Sequence, residues 1–308
     1  MLPLPFSDGC RYVVDGVGMI RERVKKWKKR LAPYWAIFDA HRRWLFPRKT
    51  TPCELDAAVV VSLTSYPCRY RYLSLTLKTL LRQSVRPDRI VLWIAQSDFA
   101  SLPKAVLRLR KHGVEIKTCR DIRSYKKIIP LLEAGERAHI VTADDDVCYW
   151  QTWLEELIEG HRSHPKSVVA HRAREIKLDE HGFPVRYSKW RLVSQQVNNP
   201  DLVFATGIGG VFYPSGIFHS DVLRADLFMT LCPSADDVWF YWMVRMANSN
   251  VHPLLKKKTI ITFPGTQQNS LWRVNKNRNN AQVAAITDYY GFPGADLKDE
   301  SDRDETAR

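Results

Sequence analysis

The sequence predicts an α/β fold: a mostly parallel sheet with helices on both faces. Three observations lead there. Apolar runs of strand length recur between residues 58 and 143. Helix-period stretches separate them, and strand alternating with helix is the pattern of parallel βαβ units. The chain has 308 residues, 45% hydrophobic and 26% charged, which is ordinary globular usage with length enough for a full core. The same figures exclude a disordered chain, a collagen-like chain and a small disulfide scaffold.

The elements follow in order. AVVVSL (58–63) is the first buried strand. Residues 71–82 read as a helix with Leu73, Leu77, Leu80 and Leu81 on one side. RIVLWIA (89–95) is the second strand. A helix over 104–112 is closed by Gly113, and VEIKTC (114–119) is the third strand. A short helix over 125–134 is strained by Pro130. AHIVTA (138–143) is the fourth strand, followed by a helix over 151–159. Beyond Val168 the alternation fades into short strands and Gly-rich turns, with one strong helix over 237–247. No internal repeat is visible.

Three zones are expected. Residues 1–56 form a basic helical extension, with twelve Lys and Arg against six acids. Ile20, Val24, Trp27 and Leu31 lie on one helical stripe, and Pro33 is expected to break it. Residues 57–291 form the α/β domain. Residues 292–308, with six acids and three bases, read as a disordered acidic tail.

The net charge of +14 points to an anionic partner: nucleotide phosphates, nucleic acid or an acidic membrane surface. No run approaches the ~18–20 apolar residues that span a bilayer. The opening MLPLPFSDGC has no basic start before an apolar core, so it does not read as a signal peptide. Cys10, Cys53, Cys68, Cys119, Cys148 and Cys232 are scattered, as free thiols in a reducing, cytoplasmic compartment would be.

Ligands of parallel sheets sit at the carboxyl ends of strands, so residues there carry the chemical interest. Asp144, Asp145 and Asp146 directly follow the fourth strand. Three adjacent carboxylates repel, and a hard cation, Mg2+ or Mn2+, would neutralise them on oxygen ligands. A solvated acidic turn or helix cap is the plainer reading. Thr64, Ser65 and Arg69 follow the first strand, where small hydroxyls admit a ribose and a guanidinium meets phosphate. Tyr125, Lys126 and Lys127 stand at a strand-to-helix junction that can face a diphosphate, or are a solvated basic helix start.

ATGIGGVFYP (205–214), with Gly209 and Gly210, permits close backbone approach. Its spacing is neither a dinucleotide fingerprint nor a Walker loop, which argues against a Rossmann dehydrogenase and a P-loop NTPase. Asp236 and Asp237 open the strong apolar helix. Dipole capping explains acids there, yet a carboxylate at the start of a buried helix is also a candidate general base. His139, His171 and His219 read as structural.

The order of these strings is more telling than any one of them. VSLTSYPCRY (61–70), DIRSYKKIIPLLEA (121–134), HIVTADDDVCYWQTWLEEL (139–157), GIGGVFYPSG (207–216), LCPSADDVWFYWM (231–243) and PGTQQNSLW (264–272) together resemble bacterial family-2-like glycosyltransferases of GT-A fold, of the surface polysaccharide and lipopolysaccharide assembly type. The resemblance covers about 57–290. It implies a Rossmann-like catalytic domain that moves a hexose from a nucleotide sugar, a UDP-sugar in the first instance, to a hydroxyl of a glycan or lipid-linked acceptor, with inversion.

In that resemblance Asp144 and Asp146 match the metal-holding positions of a DxD motif, for Mn2+ or Mg2+, and Asp145 lies within the motif on the nucleotide side. Thr64, Ser65 and Arg69 match the nucleotide loop, and Lys126 a position facing the nucleotide. Gly209 and Gly210 lie where the donor sugar passes. Asp236 and Asp237 match the acid pair that supplies the base, with Asp237 as the base itself. Asn275 and Asn277 fall in a late loop over the donor. The chain departs from the pattern at Ala95-Gln96-Ser97-Asp98, where an acid usually ends the second strand, and no C-terminal His ligand stands out.

Two other classes compete. A metal-dependent nucleotidyltransferase also uses acids and phosphates, but the Gly-rich, Lys-containing phosphate loop near the N-terminus is missing. A basic nucleic-acid-binding protein fits the charge, but no binding motif supports it, so no nucleic-acid partner is expected. The basic stripe over 20–50 has two readings: it packs on the catalytic domain, or it makes peripheral contact with an anionic inner-membrane surface.

Overall fold

The structure is a computed structural model. It describes residues 9–256, 258–266 and 271–293, with side chains for 23, 24, 27, 30–256, 258–266 and 278–293. Most of the tail expected over 292–308, and the side chains of Ile20, Asn275 and Asn277, lie outside the described residues.

Four strands match the apolar runs: β1 Val59–Thr64, β2 Arg89–Ala95, β3 Val114–Cys119 and β4 His139–Ala143. They pair in parallel in the order β4-β1-β2-β3, with Val61 opposite both Ile90 and Val141. Strands buried on both faces need apolar residues throughout. In β1, Val59, Val61 and Leu63 pack beneath α2 Tyr70–Leu80 and α5 Trp153–Ser163, whereas Val60 packs on the opposite face against the helix α7 Asp236–Met246.

Three short strands extend the sheet where the sequence pattern fades: β5 Val168–Ala170, β9 Val211–Tyr213 and β10 Val251–Pro253. The full order is β10-β5-β9-β4-β1-β2-β3. Strand β9 is antiparallel to both neighbours. Its amino end therefore reaches the edge where β4 and β5 have their carboxyl ends, and this brings the Gly-rich segment to the acid triplet. A second, antiparallel sheet of β6 Ala173–Glu175, β7 Arg191–Leu192 and β8 Val203–Ala205 stands beside it. The predicted α/β class with a mostly parallel, helix-flanked sheet is the one observed.

Several helices differ from expectation in detail. The 104–112 segment is one α-turn, α3 Lys104–Leu107, continued as 3-10 helix to His112 and closed by Gly113 at φ 99°. The 125–134 segment divides into a 3-10 turn, Arg123–Lys127, and α4 Ile129–Glu133, because Pro130 is best placed in a first helical turn, where its missing N–H costs no hydrogen bond. Helix α6 Ala225–Leu231 precedes α7. Asn275 and Asn277 fall within α8 Leu271–Tyr290, not in a loop.

The largest difference is at the N-terminus. Pro33 does not end the helix: α1 runs Gly9–Leu45 through it. A mid-helix proline removes one hydrogen bond and costs ~3 kcal/mol. Packing beyond the proline offsets that loss. Ala36 and Ala40 are buried against Leu75 and Phe263. The Arg43 guanidinium donates to the Tyr149 carbonyl at 2.8 Å, and the Cys148 thiol donates to the Ala36 carbonyl at 3.6 Å. Among the described residues no helix is long and apolar enough to cross a membrane. The described cysteines are free thiols.

Candidate active site

Among the described residues, the carboxyl edge of β1 and β4 brings together Asp144, Asp145, Asp146, Asp236 and Asp237 with Arg69 and Lys127. Asp145 is turned inward. It accepts from the Ser65 hydroxyl at 2.6 Å and from Arg69 Nε at 2.8 Å. Arg69 Nη2 lies 2.7 Å from Asp145 and 2.9 Å from Asp146. All three side chains are at least 86% buried. Thr64 donates to the Trp93 carbonyl on β2. The first-loop residues expected to meet a nucleotide, Thr64, Ser65 and Arg69, therefore spend these polar groups on the protein itself.

Asp144 is the most open of the triplet. Lys127 Nζ lies 2.9 Å from its Oδ1, and the Gly209 N–H donates to its Oδ2 at 3.2 Å. Its own N–H donates to the Tyr149 hydroxyl at 2.7 Å. The structure brings Lys127 to the acids, not Lys126, whose Nζ turns to Asp121 at 2.6 Å. Both lysines lie in the 3-10 turn, where successive side chains point about 120° apart, so only one can face the site.

Asp236 and Asp237 open α7 in its first turn. Ser124 donates to Asp236 at 2.8 Å, and the Gly207 N–H donates to Asp237 Oδ2 at 2.9 Å. A Cβ built at Gly207 would stand 2.8 Å from Asp237 Oδ1, so the acid lies directly against that glycine. Gly209 and Gly210 have φ of 94° and 104°. Added Cβ atoms there would meet Ile260 and the Trp153 ring, each at 2.6 Å. These two glycines are needed by the protein's own packing and backbone, and the Gly209 carbonyl accepts from the Trp153 indole.

The electrostatics show an excess of negative charge. Burial, then repulsion from Asp236, pushes Asp237 up to about 7; the Gly207 N–H and Lys127 oppose the shift. Asp236 is also raised, first by burial, with Lys127 and Ser124 opposing. Burial raises Asp146 to about 6 against the pull of Arg69. Lys127 is held protonated: burial disfavours its charge, but Asp144 and Asp236 more than compensate.

The donors at this edge are of the class that a hard divalent cation takes, although no three of these carboxylates reach metal-ligand spacing among the described residues. They are all oxygens, and three of the five carboxylates are pushed toward protonation despite Arg69 and Lys127. Asp144 and Asp146 are the residues that would hold such a cation.

Among the described residues the group with metal-ligand spacing lies away from this edge: Asp56, His139 and His161. His139 begins β4, at the opposite end of the strand. Its Nδ1 accepts the Ser215 N–H at 3.2 Å, so Nε2 carries the proton toward Asp56 at 2.9 Å. That ring has no lone pair left for a metal. His171 is kept neutral at about 4 by burial, with its Nε2 on the Trp153 carbonyl, and His219 Nδ1 caps a 3-10 turn.

Three participants were not singled out from sequence: Gly207, Tyr149 and Arg172. Arg172 follows β5 at the same edge and donates to the Thr206 hydroxyl at 3.3 Å, one residue before Gly207. Burial and neighbouring Arg174 lower its pKa, and no carboxylate pairs with it among the described residues. A basic residue just past a strand end was the available signal.

No family model matches the chain, and no curated protein matches it. Solved structures do show likeness. CMP:2-keto-3-deoxy-manno-octonic acid synthetase complexed with CTP aligns at 10% identity over 75% of this chain and 100% of that one, with a TM-score of 0.36. S. aureus TarS 1–349 in complex with UDP aligns at 12% identity over 75% and 65%, with a TM-score of 0.42. The 4-diphosphocytidyl-2C-methyl-D-erythritol synthase of Anaerococcus prevotii aligns at 12% identity over 72% and 96%, with a TM-score of 0.41. What this chain can do has to follow from its own side chains.

Proposed function

We propose that the protein is a metal-assisted glycosyltransferase. It moves a sugar from a nucleotide-sugar donor to a hydroxyl of a glycan or lipid-linked acceptor, with inversion, in bacterial surface polysaccharide assembly. The observation that carries this reading is Asp237: a half-buried carboxylate with a pKa near 7, fixed by the Gly207 N–H and facing the acid-and-lysine cluster of Asp144 and Lys127. A general base works best with a pKa near the operating pH.

A divalent cation on Asp144 and Asp146, when bound, neutralises the departing diphosphate. The chain's own residues do the rest. Lys127 places a fixed positive charge at the same edge. Arg69 holds Asp145 and Asp146 in place. Asp237 takes the proton of the acceptor hydroxyl as its oxygen bonds to the anomeric carbon. The bond from that carbon to the diphosphate oxygen breaks on the opposite face, and a nucleoside diphosphate leaves. One carboxylate base suffices, unlike the paired carboxylates of glycoside hydrolysis.

The competing nucleotidyl transfer would attack a phosphorus atom and release pyrophosphate; its sugar-phosphate nucleophile is already ionised, so a general base such as Asp237 favours transfer to a hydroxyl. The test is incubation with UDP-, GDP- and CDP-sugars plus Mn2+. Release of the nucleoside diphosphate, lost in Asp237→Asn, is expected. Pyrophosphate release from a nucleoside triphosphate and sugar phosphate would overturn the reading.

A further inference from the structure

Helix α1 presents two opposed faces. Ala36, Ala40 and Arg43 are buried against the body. Val24, Trp27, Leu31, Tyr34, Trp35, Phe38 and Leu45 are 46–69% exposed, and Phe46, just past the helix end, is 73% exposed. At about 100° per residue, the seven helical positions fall in an arc of roughly 100° centred nearly opposite the buried face, and Phe46 follows at the end of it. Fourteen large apolar side chains are exposed among the described residues, and these eight are among them. Such a concentration on one helix face is a contact surface, not scattered exposure.

Its charge says what kind of surface it meets. Residues 20–49 hold eleven Lys and Arg against Glu22 and Asp39, a net +9. Arg23 and Arg30, both exposed, flank the apolar arc, and Arg42 lies within it. Beside Phe46 opens a cleft lined by Arg42, Arg43, Arg48 and Arg82. Among the described residues Arg48 and Arg82 have no carboxylate partner. Arg48 donates to Gln151, and the Arg82 guanidinium rests 4.5 Å from the Trp44 ring centroid with a buried Nε left unpaired.

Trp and Tyr prefer the boundary between headgroup and hydrocarbon, and basic side chains beside them reach phosphates in that plane. A second copy of the helix would instead bring like charges together.

We propose that this face of α1, with the arginine cleft at its end, docks the protein on an anionic phospholipid surface. The inference does not depend on the reaction proposed above. The test is co-sedimentation of the full chain with phosphatidylcholine vesicles, with and without about one-third phosphatidylglycerol. Expected is binding at least tenfold stronger to the anionic vesicles, weakening steeply with salt.

Trp35→Ser with Phe38→Ser should cut that binding tenfold or more while leaving the melting temperature unchanged, since both side chains face solvent. Arg30→Glu with Arg48→Glu should do the same through charge alone. Absent binding, or equal salt-insensitive binding to neutral vesicles, would overturn the proposal. So would a dimer in sedimentation equilibrium that Trp35→Ser with Phe38→Ser dissociates, because a second copy would then cover the face.

Discussion

Lys127 Nζ lies 2.9 Å from Asp144 Oδ1, and the same ammonium lowers the pKa of both Asp236 and Asp237. One buried cation thus links the triplet after β4 to the acid pair of α7. Lys127→Met should raise the pKa of Asp237 further above 7, since the opposing charge is gone. The acid limb of kcat/KM, which reports the free base, should move to higher pH. Lys126→Met should leave that limb in place, because Lys126 pairs with Asp121 outside the site. A pH–rate profile of both variants checks this, and equal shifts would remove Lys127 from its role.

Arg69 spans Asp145 and Asp146 with every partner largely buried. Arg69→Ala would remove the guanidinium shared by two buried carboxylates. Breaking such a pair from one side costs ~3–5 kcal/mol. The expected outcome is a large fall in the urea midpoint with little change in slope. A midpoint within error of the parent would mean that these ions are solvated.

How far the sequence could show this follows from which forces act locally. β1 to β4 were legible because strands buried on both faces must be apolar at every position, and the triplet was placed correctly because it abuts one of them. Lys127 could not be separated from Lys126, since one residue of phase in a 3-10 turn decides which faces inward. The helix through Pro33 was hidden because its continuation rests on contacts of Ala36, Ala40 and Arg43 with residues more than thirty positions away. The antiparallel β9 was hidden for the same reason: VFY is three residues long, and its pairing is set by β4 and β5. Arg69 was expected to meet phosphate; only the fold reveals that its fork is taken by Asp145 and Asp146.

The glycines of the 205–214 segment should separate by function. Gly207→Ala puts a methyl 2.8 Å from Asp237 Oδ1 at a backbone conformation open to alanine, so the acid must shift. Activity should fall by ~100-fold or more, as for misplacement of a reacting group by about 1 Å, with only a modest change in melting temperature. Gly210→Ala meets the Trp153 ring at 2.6 Å and sits at φ 104°, so it should lower thermal stability first. Activity and melting curves on the two variants, side by side, check the division; a Gly207→Ala enzyme at full rate would place the base elsewhere.

Asp237 should be a liability to the fold that it serves. Its pKa is about 7 in the folded state against 3.8 for the free side chain. Between those values the folded chain keeps a proton that the unfolded chain has lost. This group's contribution to stability therefore declines as pH rises through that window, and the penalty is complete above 7. Asp237→Asn removes the charge but keeps an oxygen for the Gly207 N–H. It should gain on the order of 1–3 kcal/mol at pH 8, about 2–4 °C in melting temperature per kcal/mol, and almost nothing at pH 4. Transfer activity should be lost over the whole range. Melting curves at pH 4, 6 and 8 decide it: a variant stabilised equally at all three would show that packing, not ionisation, is responsible, and a variant destabilised at pH 8 would show that the carboxylate is already compensated in the fold.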